Sequence, residues 1–430
     1  MVRGWVAGWA VVVVVVGFGG VSARAGVGPP PGVDGAGSGE RPDGRVRSAS
    51  SAGIGEVRFG SPEQLASGVT FRTFETSGAG GPVAGDLLDV DLRKAEVGLL
   101  RPPVVAARRT VSAMADARHA VAGVNGDFFN ISETHPGVAP TGSSSGPEVD
   151  GGRPLKGAVP DGQRFGPALP PGTSTEDVIG VGDDRRGHVA RLRLTGTVRS
   201  GGTSIALRGL NQYALPVGGV GAFGPEWGEV SRQRAVCGTD LVRSDPCSTN
   251  TAEATVRKGV VTGVSGAVGG GAIPSGTTVL VGREEGADAL RRLKVGDRVQ
   301  VSYRFAGPVG FRFAVGGFPI LRDGRPLDGL GTAGPAPRTA AGVSHDGRHV
   351  YLVVVDGRSE RSGGVTIPEL ASLLDEAGAD DAVNLDGGGS STFVARSPGE
   401  TSVTVRNTPS DGTERAVANG IGAFATASRP

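Results

Sequence analysis

Residue types and motifs that mark several common protein classes are scarce or absent in this chain. Among 430 residues there are only two cysteines and five histidines, and no H-E-x-x-H motif, so zinc catalysis has no support. Basic and acidic residues number 44 and 43, and this balance gives no support for a nucleic-acid partner. Aromatic residues are only 5% of the chain, whereas glycine occurs 76 times, which indicates many turns rather than long helices.

Two glycine-containing stretches match known patterns by letters alone. GVGAFG (219–224) fits G-x-G-x-x-G, but PEWG follows it rather than a helix, which argues against a dinucleotide site. GSSSG (142–146) fits G-x-S-x-G, but it lies in a low-complexity stretch without a preceding strand or a following helix, which argues against a nucleophile elbow.

The N-terminus has the organisation of an export signal. Arg3 precedes an uncharged apolar stretch over 5–21, and the following ARA fits a small-x-small cleavage site. We therefore predict a signal peptide over residues 1–25 and a disordered Gly/Pro/Ser-rich linker over 26–55. The alternative is an uncleaved anchor, although the stretch is at the short limit for a membrane span. In both cases the remainder is expected outside the cytoplasm, secreted or in the cell envelope, with membrane contact only through the signal segment.

The two cysteines are near neighbours in the chain. In an exported protein, Cys237 and Cys247 are expected to form a disulfide that closes a short loop. Metal binding is the weaker interpretation, because no histidine or second cysteine pair lies nearby. No cofactor or metal is predicted. Acidic strand ends could hold a calcium ion, but no ligand spacing demands one.

Patterns of alternating apolar and polar residues predict short strands through most of the remaining chain. We expect a first part over 56–186, with a short helix capped by Thr110 and a long loop over 133–186 folded over a site. A β-rich insertion over 187–312 contains both cysteines, and a second part over 313–430 carries the densest motifs. The predicted fold class is α+β, with mixed β-sheets, a few covering helices and the β-rich insertion.

The stretch TIPELASLLDEAGA predicts an amphipathic helix. Thr366 and Glu369 form a capping box, Pro368 lies in the first turn, and Gly378 follows the end. Glu369 is therefore interpreted as a helix cap rather than as a catalytic acid.

Polar groups follow several predicted apolar strands, and loops at strand ends often carry functional residues. In VNLDGGGSS, Asp386 precedes three glycines, which suits a close approach of backbone N–H groups to an anion. VNGDFFN places Asn125 and Asp127 in the same way, and Arg338 could grip a phosphate with its guanidinium fork. The alternative for each aspartate is an ordinary turn residue. The remaining predicted site residues are Thr339, Asp356, Asn384, Gly387, Gly388, Gly389, Ser390, Ser391 and Asn419.

Several motifs occur in an order that resembles a known family. NGDFF, GGFPILRDGRP, PRTAAGV, VVVDGR, ELASLLDEAGADDAVNLDGGGSST and SDGTERAVANGI together resemble the phosphodiester glycosidases, the family that includes the lysosomal "uncovering enzyme". The resemblance extends over roughly residues 85–430 and is strongest from 315 to 425.

This resemblance implies hydrolysis of the sugar–phosphate glycosidic bond in a sugar-1-phosphodiester with an N-acetylglucosamine-like sugar. The family's biological substrate does not carry over, and for an exported protein we expect a cell-envelope or extracellular glycan instead. Asp386 and Asp127 would be the catalytic carboxylates. Arg338 and the amides of Gly387–Gly389 would stabilise the leaving phosphate, and the other site residues would bind substrate. The oligomeric state is not predicted.

Two alternatives to this activity stay open. One is a non-catalytic glycan-binding or envelope polysaccharide assembly protein that retains the pocket. The other is a peptidoglycan-associated hydrolase of ordinary glycosidic links, which would have no need of Arg338.

Overall fold

Short β-strands dominate residues 53–331 and 333–426, which the computed structural model describes. The predicted signal peptide and nearly all of the predicted linker lie outside these residues. The first strands are β1 (Arg58–Phe59), β2 (Glu63–Ala66), β3 (Val69–Gly78), β4 (Gly81–Asp91), β5 (Ala95–Leu100), β6 (Ala122–Asn125), β7 (Glu148–Asp150), β8 (Arg153–Lys156) and β9 (Asp177–Gly182). The next are β10 (Gly187–Arg191), β11 (Arg193–Ser200), β12 (Thr203–Leu210), β13 (Val220–Phe223), β14 (Thr251–Arg257), β15 (Val260–Ser265), β16 (Thr277–Arg283) and β17 (Gln300–Ala306). The last are β18 (Phe311–Gly316), β19 (Phe318–Arg322), β20 (Arg325–Pro326), β21 (Arg338–Val343), β22 (His349–Val355), β23 (Asp381–Asn384), β24 (Phe393–Ala395), β25 (Thr404–Val405) and β26 (Gly420–Ala425).

The helices are few. They are α1 (Val111–Arg118), α2 (Glu285–Arg291) and α3 (Ile367–Glu376), with 3₁₀ turns at Asp161–Gln163, Pro225–Trp227, Arg232–Val236 and Gly388–Ser390. The described chain is therefore mainly β with three α-helices, which agrees with the α+β prediction in a coarse sense.

The strands form four sheets. A nine-stranded sheet has the order β1-β3-β4-β22-β21-β23-β19-β20, with β2 beside β3. Two five-stranded sheets have the orders β10-β9-β18-β7-β8 and β25-β24-β6-β26-β5, and the seven-stranded sheet has the order β15-β14-β16-β13-β12-β11-β17. The pair β12–β13 is parallel.

The seven-stranded sheet covers most of the segment for which an insertion was predicted. It runs from Arg193 to Ala306 and has an apolar cluster of its own, including Leu207, Leu280 and Leu290. Strand β10 lies before this sheet and pairs instead with β9, with Gly187 opposite Val181. The sheet thus begins a few residues after the predicted boundary at 187, because the polar–apolar alternation does not specify which partner a strand chooses.

Residues 133–186 contain more regular structure than the predicted long loop. The short strands β7, β8 and β9 lie within this segment, and β18 pairs with both β7 and β9. Their Gly/Pro/Ser-rich surroundings concealed them, and β7 and β8, with three and four residues, carry little periodicity of their own.

Helix α3 has the predicted capping box. The Thr366 hydroxyl accepts from the Glu369 N–H, and the Glu369 carboxylate accepts from the Thr366 N–H at 2.7 Å. Glu369 also accepts from the Ala79 N–H at 2.6 Å, so the cap ties the helix to the turn between β3 and β4. The helix packs on the nine-stranded sheet through buried Leu370, Leu373 and Leu374.

Two sheets meet where the glycine-rich stretch crosses between them. The chain leaves the nine-stranded sheet after Asn384 and enters β24, which pairs with β6 of a five-stranded sheet, at Phe393. The Phe393 ring lies 5.3 Å from that of Phe71 on β3, inside an apolar cluster shared by the two sheets. Residues 385–392 are therefore a buried crossover, and this crossover forms one wall of the candidate site.

Candidate functional site

The ends of β6 and β23 bring two aspartates onto adjacent backbone segments. The Asp386 N–H donates to the carbonyl of Gly126 at 2.8 Å, and Gly126 immediately precedes Asp127. The Asn125 side-chain amide donates to the Asp386 carbonyl at 2.6 Å. Residues far apart in the chain are thus held together by backbone contacts.

Asn125 is a junction between these segments. Its Oδ1 accepts from the Thr339 hydroxyl at 2.7 Å and from the Thr392 N–H at 3.0 Å, while its Nδ2 donates to Asp386. Both ends of the buried amide are therefore engaged by protein. This arrangement fixes the start and the end of the crossover against β6, whereas the predicted contacts of Asn125 and Thr339 with substrate stay predictions.

Asp127 is buried among polar groups from three segments. Its N–H donates to Asn419 Oδ1 at 2.8 Å, and its Oδ2 accepts from the Gly146 N–H at 2.5 Å. A Cβ at Gly316 would lie 2.5 Å from the same Oδ2, so the glycine permits this close approach. Asn419 also donates to Glu148 Oε1 at 2.8 Å, which adds a buried carboxylate that the sequence analysis missed.

Lys156 is a second missed residue. It is fully buried, and its Nζ donates to the carbonyls of Gly146 at 2.6 Å and Gly157 at 2.7 Å. Burial lowers its pKa to about 8, against the opposing charges of Glu148 and Asp127. No sequence signal marked it, because a lysine in a short β-strand normally faces solvent.

Asp386 is closed off from solvent, with 1% of its surface exposed. Its Oδ1 accepts from the Gly387 N–H at 3.1 Å. Burial raises the pKa of Asp386 well above its ordinary range, and the Asp127 charge raises it further, while the Ser390 hydroxyl and the Arg415 charge oppose the shift. The surroundings of Asp386 therefore favour the protonated form of this carboxyl.

The pKa of Asp127 is raised by the same physical cause. Burial raises it, while the Gly146 N–H and the charges of Lys156 and Arg164 oppose the shift. Two positive charges thus lower the pKa of Asp127, whereas one, that of Arg415, lowers the pKa of Asp386. Two neighbouring carboxyls in unlike surroundings are the arrangement in which one holds a proton and the other ionises.

The glycines after Asp386 allow close backbone packing. Gly388 has φ +60° and donates its N–H to the Pro337 carbonyl at 2.8 Å. A Cβ at Gly389 would lie 2.1 Å from Arg415 Nη2, and one at Gly387 would lie 2.9 Å from the Pro337 oxygen. The N–H groups of Gly387 and Gly388 thus have protein acceptors in this structure, and the predicted binding of an anion by these glycines stays a prediction.

Arg415 lies against the turn formed by Gly387–Gly389. Its Nε donates to Asp411 at 3.0 Å, its Nη2 also bonds Asp411, and its Nη1 lies 3.4 Å from the Ser390 hydroxyl. Arg415 lies in the SDGTERAVANGI motif, although the sequence analysis did not single it out.

Asn384 ends β23 with a buried amide. Within the described chain, neither its Oδ1 nor its Nδ2 has a hydrogen-bond partner, and the same holds for the Ser391 and Thr392 hydroxyls. Such groups are rare in folded proteins, because each costs about 1–3 kcal/mol. Asn384 is paired in register with Phe318 and Ala340, whose side chains belong to the apolar cluster beneath α3.

Arg338 lies beside the turn but is engaged with backbone. Its Nε donates to the Val365 carbonyl at 3.1 Å and its Nη2 to the Gly334 carbonyl at 3.3 Å. Burial and the nearby Arg358 charge lower its pKa to about 10. A Cβ at Gly387 would lie 3.8 Å from Arg338 Cδ. The predicted catalytic role of Arg338 stays a prediction.

Asp356 supports the crossover from another direction. Its Oδ1 accepts from the Thr408 N–H at 2.9 Å and from Asn407 Nδ2 at 3.3 Å, and Asn407 also donates to the Ser391 carbonyl at 3.1 Å. Burial raises its pKa. Burial, and then the Asp356 charge, raise the pKa of Asp86 on β4 to about 7.

Arg164 is another residue of the site that the sequence analysis missed. Its Cζ lies 4.5 Å from the ring centre of Phe128 and 4.9 Å from that of Phe318. Burial lowers its pKa to about 10, while the charges of Asp127 and Asp386 oppose the shift. Only the prediction that 133–186 folds over a site pointed toward it.

The predicted disulfide between Cys237 and Cys247 is confirmed, with an S–S distance of 1.96 Å. Its loop packs on the segment that carries Arg164, and Arg243 donates to the Arg164 carbonyl at 2.8 Å. The β-rich part of the chain therefore contacts the candidate site.

Two groups of potential metal ligands lie away from the aspartate pair. Asp323, Asp380 and Asp381 place carboxylate oxygens within 4.8 Å of one another, at the opposite end of β23 from Asn384. His135 lies near the disulfide, whose sulfurs are already bonded to each other.

The two aspartates are almost closed off from solvent, because Asp127 is only 4% exposed and Asp386 only 1%. A surface cavity of about 340 Å³ lies elsewhere, lined by residues such as Val97, Arg118 and Phe313. Among the described residues, no helix has the length and apolar character needed to cross a membrane.

Part of the chain is similar to a curated protein. Over 83 residues the chain is 45% identical to the SPbeta prophage-derived uncharacterized protein YomE of Bacillus subtilis (strain 168), covering 19% of this chain and 12% of that protein. The chain thus spans about an eighth of the length of this curated relative.

Two solved structures have a similar fold. A "Putative exported protein" from Burkholderia pseudomallei K96243 has a TM-score of 0.65 at 20% identity, covering 89% of this chain and 99% of that one. A hypothetical protein from Synechocystis has a TM-score of 0.63 at 20% identity, covering 84% of this chain and 62% of that one. At this identity the likeness concerns the fold alone.

The family comparison concerns the part of the chain that carries Arg338, Asn384, Asp386 and Asn419. Residues 250–424 match the phosphodiester glycosidase family. The resemblance to the phosphodiester glycosidases is thereby confirmed.

Proposed function

We propose that this protein is an exported glycoside hydrolase that cleaves the sugar–phosphate bond of a sugar-1-phosphodiester, with an N-acetylglucosamine-like sugar in a cell-envelope or extracellular glycan. The observation that carries the proposal is the convergence of Asp127 and Asp386 at the junction of two sheets. Both carboxyls are buried, and both have raised pKa values. A pair of carboxyl groups is what glycosidic cleavage through an oxocarbenium-like state requires.

In the proposed reaction, water adds to the anomeric carbon while the bond between that carbon and the phosphate oxygen breaks. The bond's electron pair leaves with the phosphomonoester, and the sugar retains the hydroxyl of the water. Asp386 holds the proton and donates it toward the departing oxygen, because its pKa is raised well above the ordinary range. Asp127, with the cations Lys156 and Arg164 nearby, supplies the negative charge beside the anomeric carbon and takes up the proton that the attacking water loses.

The polar groups around the pair suit a sugar ligand. The buried amide of Asn384 and the hydroxyl of Ser391 have no partner within the described chain, and sugar hydroxyls would satisfy both groups. These residues therefore keep the substrate-binding role expected from the sequence.

The test is hydrolysis of a panel of sugar-1-phosphodiesters and phosphate-free glycosides in ¹⁸O water, with products analysed by mass spectrometry. We expect ¹⁸O in the released sugar, because the glycosidic bond breaks. Label in the phosphate would instead identify a phosphodiesterase and overturn the proposal. Asp386→Asn and Asp127→Asn should each lower kcat about 10²- to 10⁴-fold, with the fold checked by circular dichroism.

A non-catalytic glycan-binding protein is the second candidate, and the closure of the aspartates from solvent favours it. It predicts binding of sugar phosphates without turnover. Measured binding by the wild-type protein, with no product from any member of the panel, would establish this alternative.

A further inference from the structure

Three arginines surround the aspartate pair, and they differ in how far their guanidinium groups are engaged. Arg338 donates to two backbone carbonyls, and Arg415 is paired with Asp411. Arg164 uses Nη1 for the carbonyl of Pro167, whereas within the described chain its Nε and Nη2 have no hydrogen-bond partner. Arg164 thus has the donors that a ligand can use.

The guanidinium of Arg164 is held flat by aromatic rings. It lies over Phe128 and Phe318, which stack with ring centres 5.9 Å apart. Phe128 directly follows Asp127, and Phe318 is paired in register with Asn384, two residues before Asp386. The two rings therefore place the planar guanidinium of Arg164 beside the strand ends that carry Asp127 and Asp386.

A second, independent feature lies on the same face of the sheet. Asn384 is fully buried, and its side-chain amide has no partner among the described residues. Its register partner Phe318 is one of the two rings beneath Arg164. A buried amide and a partly unused guanidinium on one face indicate a polar ligand, and the planar fork of arginine matches the oxygens of phosphate.

We propose that Arg164, rather than Arg338, binds the phosphate group of the substrate, with the Asn384 amide as a second donor. This assignment rests on the proposed function for the identity of the substrate. Arg164 brings the positive charge that a phosphate needs beside two aspartates, and it stabilises the negative charge of the departing phosphomonoester.

The backbone around Arg164 is clamped by the disulfide loop. A Cβ at Gly162 would lie 2.3 Å from the Leu241 carbonyl, so this glycine permits a very close contact between the two segments. Arg243 donates to the Arg164 carbonyl at 2.8 Å, and its guanidinium lies 4.0 Å from the ring centre of Phe165. Arg243 and the loop are positioning elements, because they act on phosphate only through Arg164.

The test compares binding of N-acetylglucosamine 1-phosphate, N-acetylglucosamine and inorganic phosphate to the wild-type protein, Arg164→Gln, Arg164→Lys and Arg312→Gln by calorimetry. Arg312 is exposed and lies away from the aspartates, so Arg312→Gln removes the same charge as a matched control. We expect Arg164→Gln to lose about 10- to 100-fold in affinity for the phosphorylated sugar, since one charged hydrogen-bonding group is lost. Arg164→Lys keeps the charge without the fork and should lose less, whereas Arg312→Gln should match the wild type.

Equal affinity of the wild type and both Arg164 variants for the phosphate ligands would overturn the assignment, and so would a wild-type protein that binds neither phosphate ligand. Thermal unfolding of each variant separates loss of binding from loss of the fold, and the lysine variant keeps the test decisive if the glutamine variant does not fold. Arg164-dependent phosphate binding without hydrolysis of any diester would instead contradict the proposed function alone.

Discussion

Asn125 donates a 2.6 Å hydrogen bond to the backbone carbonyl of Asp386, although the two residues are 261 positions apart in the chain. The same side chain accepts from Thr339 and Thr392. One buried amide therefore joins β6, β21 and the crossover that carries Asp386. Its removal should disturb both the fold and the position of the aspartate.

We expect Asn125→Ala to lower the free energy of unfolding by about 3 kcal/mol, because it leaves three buried polar groups without partners. Asp386 would also lose its anchor, so kcat should fall more than KM changes. Urea unfolding and steady-state kinetics measure the two effects. Thr339→Val serves as a milder comparison, because it removes only one of the three hydrogen bonds of Asn125. It should lower the free energy of unfolding by about 1 kcal/mol. Equal stability of the wild type and Asn125→Ala would contradict the junction role.

The raised pKa of Asp86 should appear in the pH dependence of stability. The pKa of Asp86 is about 7 in the folded protein, whereas an unperturbed aspartate has a pKa of 3.8, so between these pH values the folded state binds a proton that the unfolded state has lost. Its contribution to stability is complete below about pH 4 and is lost as the pH rises to about 7. Between these two pH values the contribution of Asp86 to the free energy of unfolding falls by on the order of 4 kcal/mol.

Asp86→Asn cannot titrate, so its advantage over the wild type should grow from pH 4 to pH 8. Urea unfolding at a series of pH values measures this difference. Asp356→Asn should flatten the wild-type profile in part, since the Asp356 charge is one cause of the shift. Parallel profiles for the wild type and Asp86→Asn would show that Asp86 titrates normally.

Gly389→Ala should reduce activity. The added Cβ would lie 2.1 Å from Arg415 Nη2 and 2.3 Å from Asp411 Oδ2, so the ion pair over the turn must move. Because the Arg415 charge acts on Asp386, we expect kcat to fall about tenfold, the effect of roughly 1.4 kcal/mol in the barrier. Gly263→Ala is the control, since a Cβ there meets nothing within 4 Å. If both alanine variants keep full activity, the turn tolerates displacement of the ion pair.

Loss of the disulfide should weaken the site as well as the fold. Replacing Cys237 and Cys247 by serine releases a short loop and should cost about 2–3 kcal/mol of stability. Because that loop holds the backbone of Arg164, affinity for a sugar phosphate should fall, while affinity for the sugar alone changes little. Calorimetry and thermal unfolding measure these effects. An unchanged preference for the phosphorylated sugar would show that the loop does not position Arg164.

Several elements could be predicted because their signals are local. The capping box of Thr366 and Glu369, the Thr110 cap of α1 and the Cys237–Cys247 pair each depend on residues within about ten positions of one another. The motif order also led to the family that residues 250–424 match. The sequence likewise singled out Asp127 and Asp386, since polar residues that end apolar strands stand out in a linear pattern.

By itself, then, the sequence determined the local caps and turns, the disulfide, and the candidate carboxylates at two strand ends. Only the tertiary structure decided that these ends meet, that the glycine stretch is a buried crossover between sheets, and that Glu148, Lys156 and Arg164 surround the aspartates. These three residues come from a Gly/Pro/Ser-rich segment without clear periodicity. Their burial and pairing depend on contacts with distant strands, and a linear pattern carries no information about such contacts.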